Sequence, residues 1–233
     1  MQDIFRLIGM SIGVFALFFG IAFAFERLRP ENRHRLTTAR YVSIIGMSAA
    51  LSGLLMLVEI PLLFLAPEFY KIDLSELPVL LCGFYLGPVA GVVCELLKVL
   101  VKLLIKGTTT SFVGDFANFT VGCMLVVPAC VIYHLRKTKR AAVIGLAAGT
   151  LIMSVFGAVF NALYLLPAFS KLFGLPLDTI LAMGAAIQPR ITGLTRFVLF
   201  AVLPLNLIKG TLVSVLSMLL YKRVQRVLFR NPS

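Results

Sequence analysis

Long apolar tracts, separated only by short polar connections, dominate this chain of 233 residues. Hydrophobic residues make up 60% of the chain and charged residues only 14%, whereas about a quarter of the residues of a soluble domain are charged. So few charges cannot cover a water-facing surface, and a spanning helix needs about 20 apolar residues. Because helices satisfy their backbone hydrogen bonds internally, the tracts predict a bundle of membrane-spanning helices.

The order of the tracts predicts an all-α integral membrane protein with one N-terminal transmembrane helix, a basic linker and six further helices. The predicted helices cover residues 4–25, 41–64, 76–86, 89–105, 113–135, 141–167 and 191–221. Polar loops are expected at 66–75, at 106–111 and from 168 to about 190. The predicted units are the N-terminal helix with its basic linker (1–40), a membrane domain that contains the other six helices (41–225) and a short basic tail (226–233).

Basic residues are concentrated beside the ends of the apolar tracts, and the formal net charge is +12. Cytoplasmic loops of membrane proteins retain Lys and Arg, so the clusters predict that these loops and the C-terminus are cytoplasmic and that the N-terminus is outside. An anionic partner, with anionic lipid as the first choice, is the alternative reading; nucleic acid is not expected. The clusters contain Arg27, Arg29, Arg33, Arg35 and Arg40, then Arg136, Lys137, Lys139 and Arg140, and finally Lys222, Arg223, Arg226 and Arg230.

Several chemistries lack their sequence signals. There is no GxxxxGK[ST] motif for ATP hydrolysis and no GxSxG motif, and His34 and His134 lie in predicted loops rather than in the membrane. An intramembrane enzyme would have only Glu95 and Asp115 as obvious carboxylates, and a membrane scaffold is a further alternative. Buried free thiols, without a metal site, are expected at Cys82, Cys94, Cys123 and Cys130.

Polar residues inside apolar helices are the first candidate site. Asn161 lies in VFNALYLLP, and Asn206 and Lys209 share a helix face in PLNLIKG because they are three residues apart. Charged residues in spans usually face the bundle interior or a cavity. Two readings of Lys209 stay open: a ligand contact, or a structural role in which the side chain snorkels or pairs with a carboxylate of another helix. Glu95 with Lys98 is equally readable as a structural ion pair.

Two further sets stand out. Small residues recur at four-residue spacing in IIGMSAALSG, which lets another helix of this chain or of another subunit approach closely. Polar residues are dense in PEFYKIDLSELP and KGTTTSFVGDFANF, which are either solvated loops or the mouth of a cavity. The second set contains Asp73, Thr108, Thr109, Asp115 and Asn118.

Four stretches, in this order, resemble the riboflavin-specific substrate-binding (S) subunits of energy-coupling factor (ECF) vitamin importers: KIDLSELPVLLCGFYLGPVAGVVCELLK, KGTTTSFVGDFANFTVG, NALYLLP and PLNLIKG. The resemblance covers about residues 41–221, and it implies a six-helix S-subunit core preceded here by one extra N-terminal transmembrane helix. It implies a non-enzymatic transport subunit of the bacterial cell membrane, with a vitamin pocket beneath the loop between the first two core helices. Riboflavin is the implied ligand, no cofactor is expected, and the implied partners are a T subunit and two cytoplasmic ATPases.

The resemblance also implies residue roles. It implies that Asn161, Asn206 and Lys209 contact the flavin ring. Further candidates for substrate contacts are Asp73, Leu74, Thr108 and Asn118. Contact with the T subunit falls on Ala49 and Gly53, where glycine replaces the second alanine of an AxxxA pattern, with Gly46 and Ala50 as further candidates. An S subunit for another vitamin, such as thiamin or pantothenate, and acceptance of FMN remain alternatives, and residues 1–40 have no implied role.

Overall fold

The computed structural model describes residues 2–29, 37–108 and 110–228, with side chains described from residue 9 to residue 221 of these ranges. Predictions about residues 30–36, Thr109 and the tail from residue 229 fall outside them. The helices are α1 (Gln2–Leu28), α2 (Thr38–Leu57), α3 (Glu76–Leu86), α4 (Pro88–Lys106), α5 (Val113–Arg136), α6 (Lys139–Phe160), α7 (Leu166–Phe173), α8 (Leu177–Ile187), α9 (Leu194–Phe197) and α10 (Leu203–Leu228). A π-helical segment, Asn161–Leu165, joins α6 to α7, and another, Val198–Val202, joins α9 to α10.

Membrane-spanning helices dominate the described residues, as the sequence predicts. Five continuous helical stretches are long and apolar enough to cross a membrane: 9–28, 38–57, 113–136, 139–173 and 194–221. The central α3 has 11 residues and is therefore about 16 Å long, roughly half the thickness of the hydrocarbon core. A short helix of this kind is tolerated because α3 is buried inside the bundle, where Val79 and Leu80 are fully enclosed.

Two predicted boundaries are wrong. The second helix, predicted over 41–64, ends at Leu57, because the backbone then turns into a short strand β1 (Ile60–Pro61) that pairs antiparallel with β2 (Lys71–Ile72). The apolar tract up to residue 64 concealed this break, although proline disfavours helical backbone at the residue before it. The predicted loop from 168 to 190 contains the end of α7 and all of α8, separated at Gly174, whose φ is 64°.

The described residues of the basic clusters lie at one end of the bundle, where α1, α5 and α10 end. Phe84, near the end of α3, contacts both Tyr133 of α5 and Tyr221 of α10, with ring centroids 4.8 and 6.0 Å apart. At the same end, Glu26 near the end of α1 accepts a hydrogen bond from the backbone N–H of Val89, in the first turn of α4, at 2.9 Å. The ends of α1, α5 and α10 and the turn between α3 and α4 therefore lie together, and this part of the molecule is called the basic end below.

The extra helix α1 is packed against the bundle rather than separated from it. Phe18 and Ala22 are buried against α4 and α5, and the rings of Phe18 and Phe119 meet edge to face at 6.4 Å. The carboxylate of Glu26 lies beside Gly87, whose φ of 119° suits glycine, and it caps the positive N-terminus of α4. All four cysteines are buried free thiols, as predicted.

Candidate functional site

Two asparagines meet at the π segments. Each segment ends two residues before a proline, Pro167 or Pro204, and proline removes a donor and displaces the carbonyl four residues earlier, which is compatible with a widened turn. The two π segments lie against each other. Asn161 opens the first, and its Nδ2 donates to the carbonyl oxygen of Gly157 at 2.8 Å. Asn206 packs on the same glycine, because a β-carbon added to Gly157 would lie 2.7 Å from Nδ2 of Asn206.

Lys209 lies one helical turn beyond Asn206 and is only 9% exposed. Its Nζ donates to Oδ2 of Asp73 at 3.0 Å and to Oε1 of Glu76 at 2.9 Å. The pairing with carboxylates of other elements, one of the two readings that the sequence leaves open, is therefore what the structure contains. Because Asp73 precedes α3 and Glu76 opens it, the lysine joins α10 to the start of the short central helix.

The ion pair belongs to a larger buried cluster of charges. Lys98 of α4 donates to Oε1 of Glu76 at 3.3 Å and also pairs closely with Oε1 of Glu95. Three carboxylates and two ammonium groups give this cluster, defined as Asp73, Glu76, Glu95, Lys98 and Lys209, a formal charge of −1. Among the described residues, Oε2 of Glu76 and Oε2 of Glu95 have no hydrogen-bond partner. A buried site of this kind has acceptor capacity left for donor groups of a bound molecule.

The loop between α2 and α3, residues 58–75, covers the site and is called the lid loop below. The hydroxyl of Tyr70 donates to Oδ1 of Asn161 at 2.7 Å, and Asp73 supplies the carboxylate on Lys209. Leu65 and Ala66 are buried with Tyr70 in an apolar cluster formed with residues of α6 to α10. Side chains of the lid loop therefore bind to Asn161 and Lys209, two of the polar residues that the sequence predicts as ligand contacts.

Further contacts hold the lid loop closed. Glu59 pairs with Lys71 of the same loop at 3.2 Å and with Lys106 at the end of α4 at 3.0 Å. Burial raises the pKa of Glu59, but the hydrogen bonds and charges of Lys106 and Lys71 outweigh burial, so the net shift is downward. For Asp73, burial likewise raises the pKa, and the ammonium groups of Lys209 and Lys98 together with hydrogen bonds from Ser75 lower it overall. Both carboxylates are thus held in the charged form.

The remaining predicted site residues occupy different surroundings. Thr108 accepts a hydrogen bond from the backbone N–H of Phe112 at 2.8 Å, so it shapes the connection between α4 and α5. Asp115 pairs with Lys102 at 2.6 Å, one turn from Asn118, whose buried Oδ1 has no partner among the described residues. Leu74 is half-buried against the core. Among the further candidates that the structure describes, Asp73 is the one whose side chain hydrogen-bonds to the group of Asn161, Asn206 and Lys209.

The small residues of α2 divide between two faces. Ala49 is buried, and a β-carbon on Gly53 would overlap Cγ1 of Val101, so Gly53 lets α2 pack closely on α4 of the same chain. Gly46 and Ala50 are exposed, and a β-carbon on Gly46 would meet nothing within 4 Å. The exposed small stripe of α2 is therefore Gly46 and Ala50 rather than Ala49 and Gly53.

Sequence reasoning missed Tyr70 and Glu76 as members of the site. Glu76 lies inside the quoted stretch KIDLSELP, and an isolated lysine within an apolar helix was itself a signal that a buried carboxylate must come from another element. Tyr70 gives no such signal, because an aromatic residue in a loop is equally compatible with exposure.

Residues 40–221 match the family described as ECF transporter, substrate-specific component. The chain is 30% identical over 205 residues to riboflavin transporter RibU of Staphylococcus aureus, which covers 88% of this chain and 97% of the relative. It is 26% identical to riboflavin transporter FmnP of Bacillus subtilis, over 78% of this chain and 90% of that one. A solved structure of the S component of a bacterial ECF transporter superposes with a TM-score of 0.64 and 29% identity, over 83% of this chain and all of the other.

Proposed function

Because this chain belongs to the family of ECF transporter substrate-specific components, we propose that it binds riboflavin beneath the lid loop and delivers it inward as part of an importer. The observation that carries the proposal is the convergence of Asn161, Asn206 and Lys209 at one buried place, under a loop whose Tyr70 and Asp73 side chains hydrogen-bond to Asn161 and Lys209. Relatives from Staphylococcus aureus, Bacillus subtilis and Streptococcus thermophilus are named riboflavin transporters, not enzymes, which supports the same ligand class.

The chemistry of the flavin suits this group of residues. The isoalloxazine ring has a uracil-like edge with two carbonyl acceptors on either side of an N–H donor. Asparagine amides donate and accept, and an ammonium donates to a ring carbonyl. The hydroxyl groups of the ribityl chain are able to donate hydrogen bonds to Oε2 of Glu76 and Oε2 of Glu95, which have no hydrogen-bond partner among the described residues. We assign the ring edge to Asn161, Asn206 and Lys209 and the flat face to aromatic residues such as Phe116 and Tyr164, whose centroids are 5.9 Å apart.

Ligand entry then requires an exchange of partners. The hydrogen bond from Tyr70 to Asn161 and the ion pair between Asp73 and Lys209 must break before the edge of the flavin ring reaches Asn161 and Lys209. When Asp73 moves out with the lid loop, the remaining two carboxylates and two ammonium groups balance, so the open site is neutral. Closure brings one more carboxylate into the site, and a ligand rich in N–H and O–H donors favours that state.

Orientation and assembly complete the proposal. The basic end faces the cytoplasm according to the positive-inside rule, which puts the lid loop on the outer side. A T subunit and two ATPases supply the energy, and Gly46 and Ala50 present the small exposed stripe for the helix contact. FMN is the second candidate ligand, because Lys71 and Lys106 at the lid loop are partly exposed cations that would attract a phosphate.

A fluorescence-quenching titration of the detergent-purified protein with riboflavin tests the proposed ligand. We expect saturable quenching at one site, and we expect Asn206→Ala to weaken the affinity by roughly ten- to hundredfold, the usual effect of losing one buried polar contact. Ser217→Ala is the matched control, because it removes from the same helix a buried hydroxyl that has no hydrogen-bond partner in the part of the chain that the structure describes. Absence of saturation in the unaltered protein, with thiamin or pantothenate saturating instead, would overturn the choice of riboflavin.

Leucine at Gly46 or Ala50 tests the proposed T-subunit contact. Added bulk on a closely packed helix face disrupts its partner, so we expect about tenfold less T subunit to copurify with either variant. Riboflavin affinity of the isolated chain stays unchanged, because both positions face away from the bundle. Gly20→Leu is the control, since Gly20 is an equally exposed glycine of α1. Normal copurification of both α2 variants would place the contact elsewhere.

A further inference from the structure

A second recess lies away from the lid loop, between α6 and α10. This groove has a volume of about 950 Å³ and begins at the basic end of the bundle. One face of α6 lines it from Lys139 to Leu151, a rise of about 18 Å over twelve residues. The facing wall is the stretch of α10 from Leu207 to Tyr221. We call it the α6–α10 groove.

The two ends of the α6–α10 groove differ in chemistry. Lys137 and Lys139 line its mouth beside the hydroxyls of Tyr133 and Tyr221, which hydrogen-bond to each other. Both lysines are exposed, and none of the described residues lining the groove is acidic. Both lysines therefore offer uncompensated positive charge to an occupant of the groove mouth.

The rest of the groove is apolar. Aliphatic side chains and Met218 line most of its length. The hydroxyls of Thr150 and Ser214, halfway along, are 3.2 Å apart and satisfy each other, so they make no demand on an occupant. A molecule that fits has an anionic group at one end and a hydrocarbon chain of about 18 Å behind it.

We propose that the α6–α10 groove binds an anionic phospholipid, with its phosphodiester at Lys137 and Lys139 and an acyl chain along α6 and α10. The mouth lies at the basic end of membrane-spanning helices, at the level of lipid headgroups, and basic pockets between such helices are known to select anionic headgroups. The volume lies in the range of ligand sites, and two tyrosine hydroxyls at the mouth suit the membrane interface. The inference does not rest on riboflavin, because the site of the two asparagines lies beneath the lid loop.

Native mass spectrometry of the full chain, titrated with phosphatidylglycerol or phosphatidylcholine, tests the lipid site. We expect the protein to bind phosphatidylglycerol more tightly. Each lysine near the membrane surface contributes about a fivefold preference for anionic lipid, so Lys137→Gln with Lys139→Gln lowers phosphatidylglycerol affinity by about 30-fold and leaves phosphatidylcholine binding unchanged. The double variant Lys171→Gln with Arg190→Gln, which removes two exposed charges outside the groove, retains the preference.

A second variant tests the hydrocarbon part. Ala147 is exposed and lines the groove, so Ala147→Phe fills the channel without altering charge and lowers the affinity for both lipids. An unchanged unfolding temperature and a single size-exclusion peak for each variant verify that the protein is folded. Equal affinity of the unaltered protein for the two lipids would overturn the proposal, and so would a preference that survives loss of both lysines. The first result would leave the groove as a protein-docking surface.

Discussion

Replacing Lys209 with methionine is expected to lower riboflavin affinity by roughly hundredfold and to destabilise the protein in the same step. The affinity falls because the proposed ring contact is lost. The stability falls because Lys209 is the cation shared by Asp73 and Glu76, and removing one partner of a buried ion pair costs about 3–5 kcal/mol. Binding titrations and thermal unfolding in one detergent measure the two effects separately.

A second substitution separates the two roles of Lys209. Asp73→Asn combined with Lys209→Met returns the buried cluster to its original formal charge of −1. We expect most of the lost stability to return in this double variant, while riboflavin affinity stays low. If affinity returned together with stability, Lys209 would act only by holding the lid loop, and its assignment as a ligand contact would be wrong.

Replacing Lys98 with methionine is expected to destabilise the protein strongly. Lys98 has no exposed surface and lies between Glu76 and Glu95, so its removal leaves two enclosed carboxylates facing each other. The expected cost is about 3–5 kcal/mol, enough to lower the yield of folded protein and its unfolding temperature. Size-exclusion chromatography and thermal unfolding monitor both quantities.

The matched controls for Lys98 use the same residue types. Glu95→Gln together with Lys98→Met removes one charge of each sign and is expected to recover much of the stability. Lys71→Met breaks the partly exposed pair with Glu59 and changes stability by only about 0.2–1 kcal/mol, since exposed pairs are weak. A Lys98→Met protein as stable as the Lys71→Met protein would contradict the view that the buried cluster organises the bundle.

The sequence by itself determined the architecture and its principal candidates. Apolar tracts of spanning length, broken at Gly87-Pro88 and flanked by basic residues, leave few arrangements other than a helical bundle with its charges at membrane interfaces. Asn161, Asn206 and Lys209 stand out for the same reason, since polar groups are costly in hydrocarbon. These features are local, and a single stretch of chain is sufficient to read them.

Only the tertiary structure decided which groups meet. The partners of Lys209 lie more than 130 residues away, in a loop and at the start of another helix, and hydrophobic periodicity carries no information about such a pairing. Periodicity also misses the β1–β2 pairing of the lid loop, because strand β1 lies in an apolar tract that is typical of a helix. It does not assign Ala49 and Gly53 either, because their spacing fits a contact inside the chain and a contact with another subunit equally well. The physical reason is that burial and charge compensation of a side chain depend on the element packed against it. Which element that is depends on the packed tertiary structure and not on the local sequence.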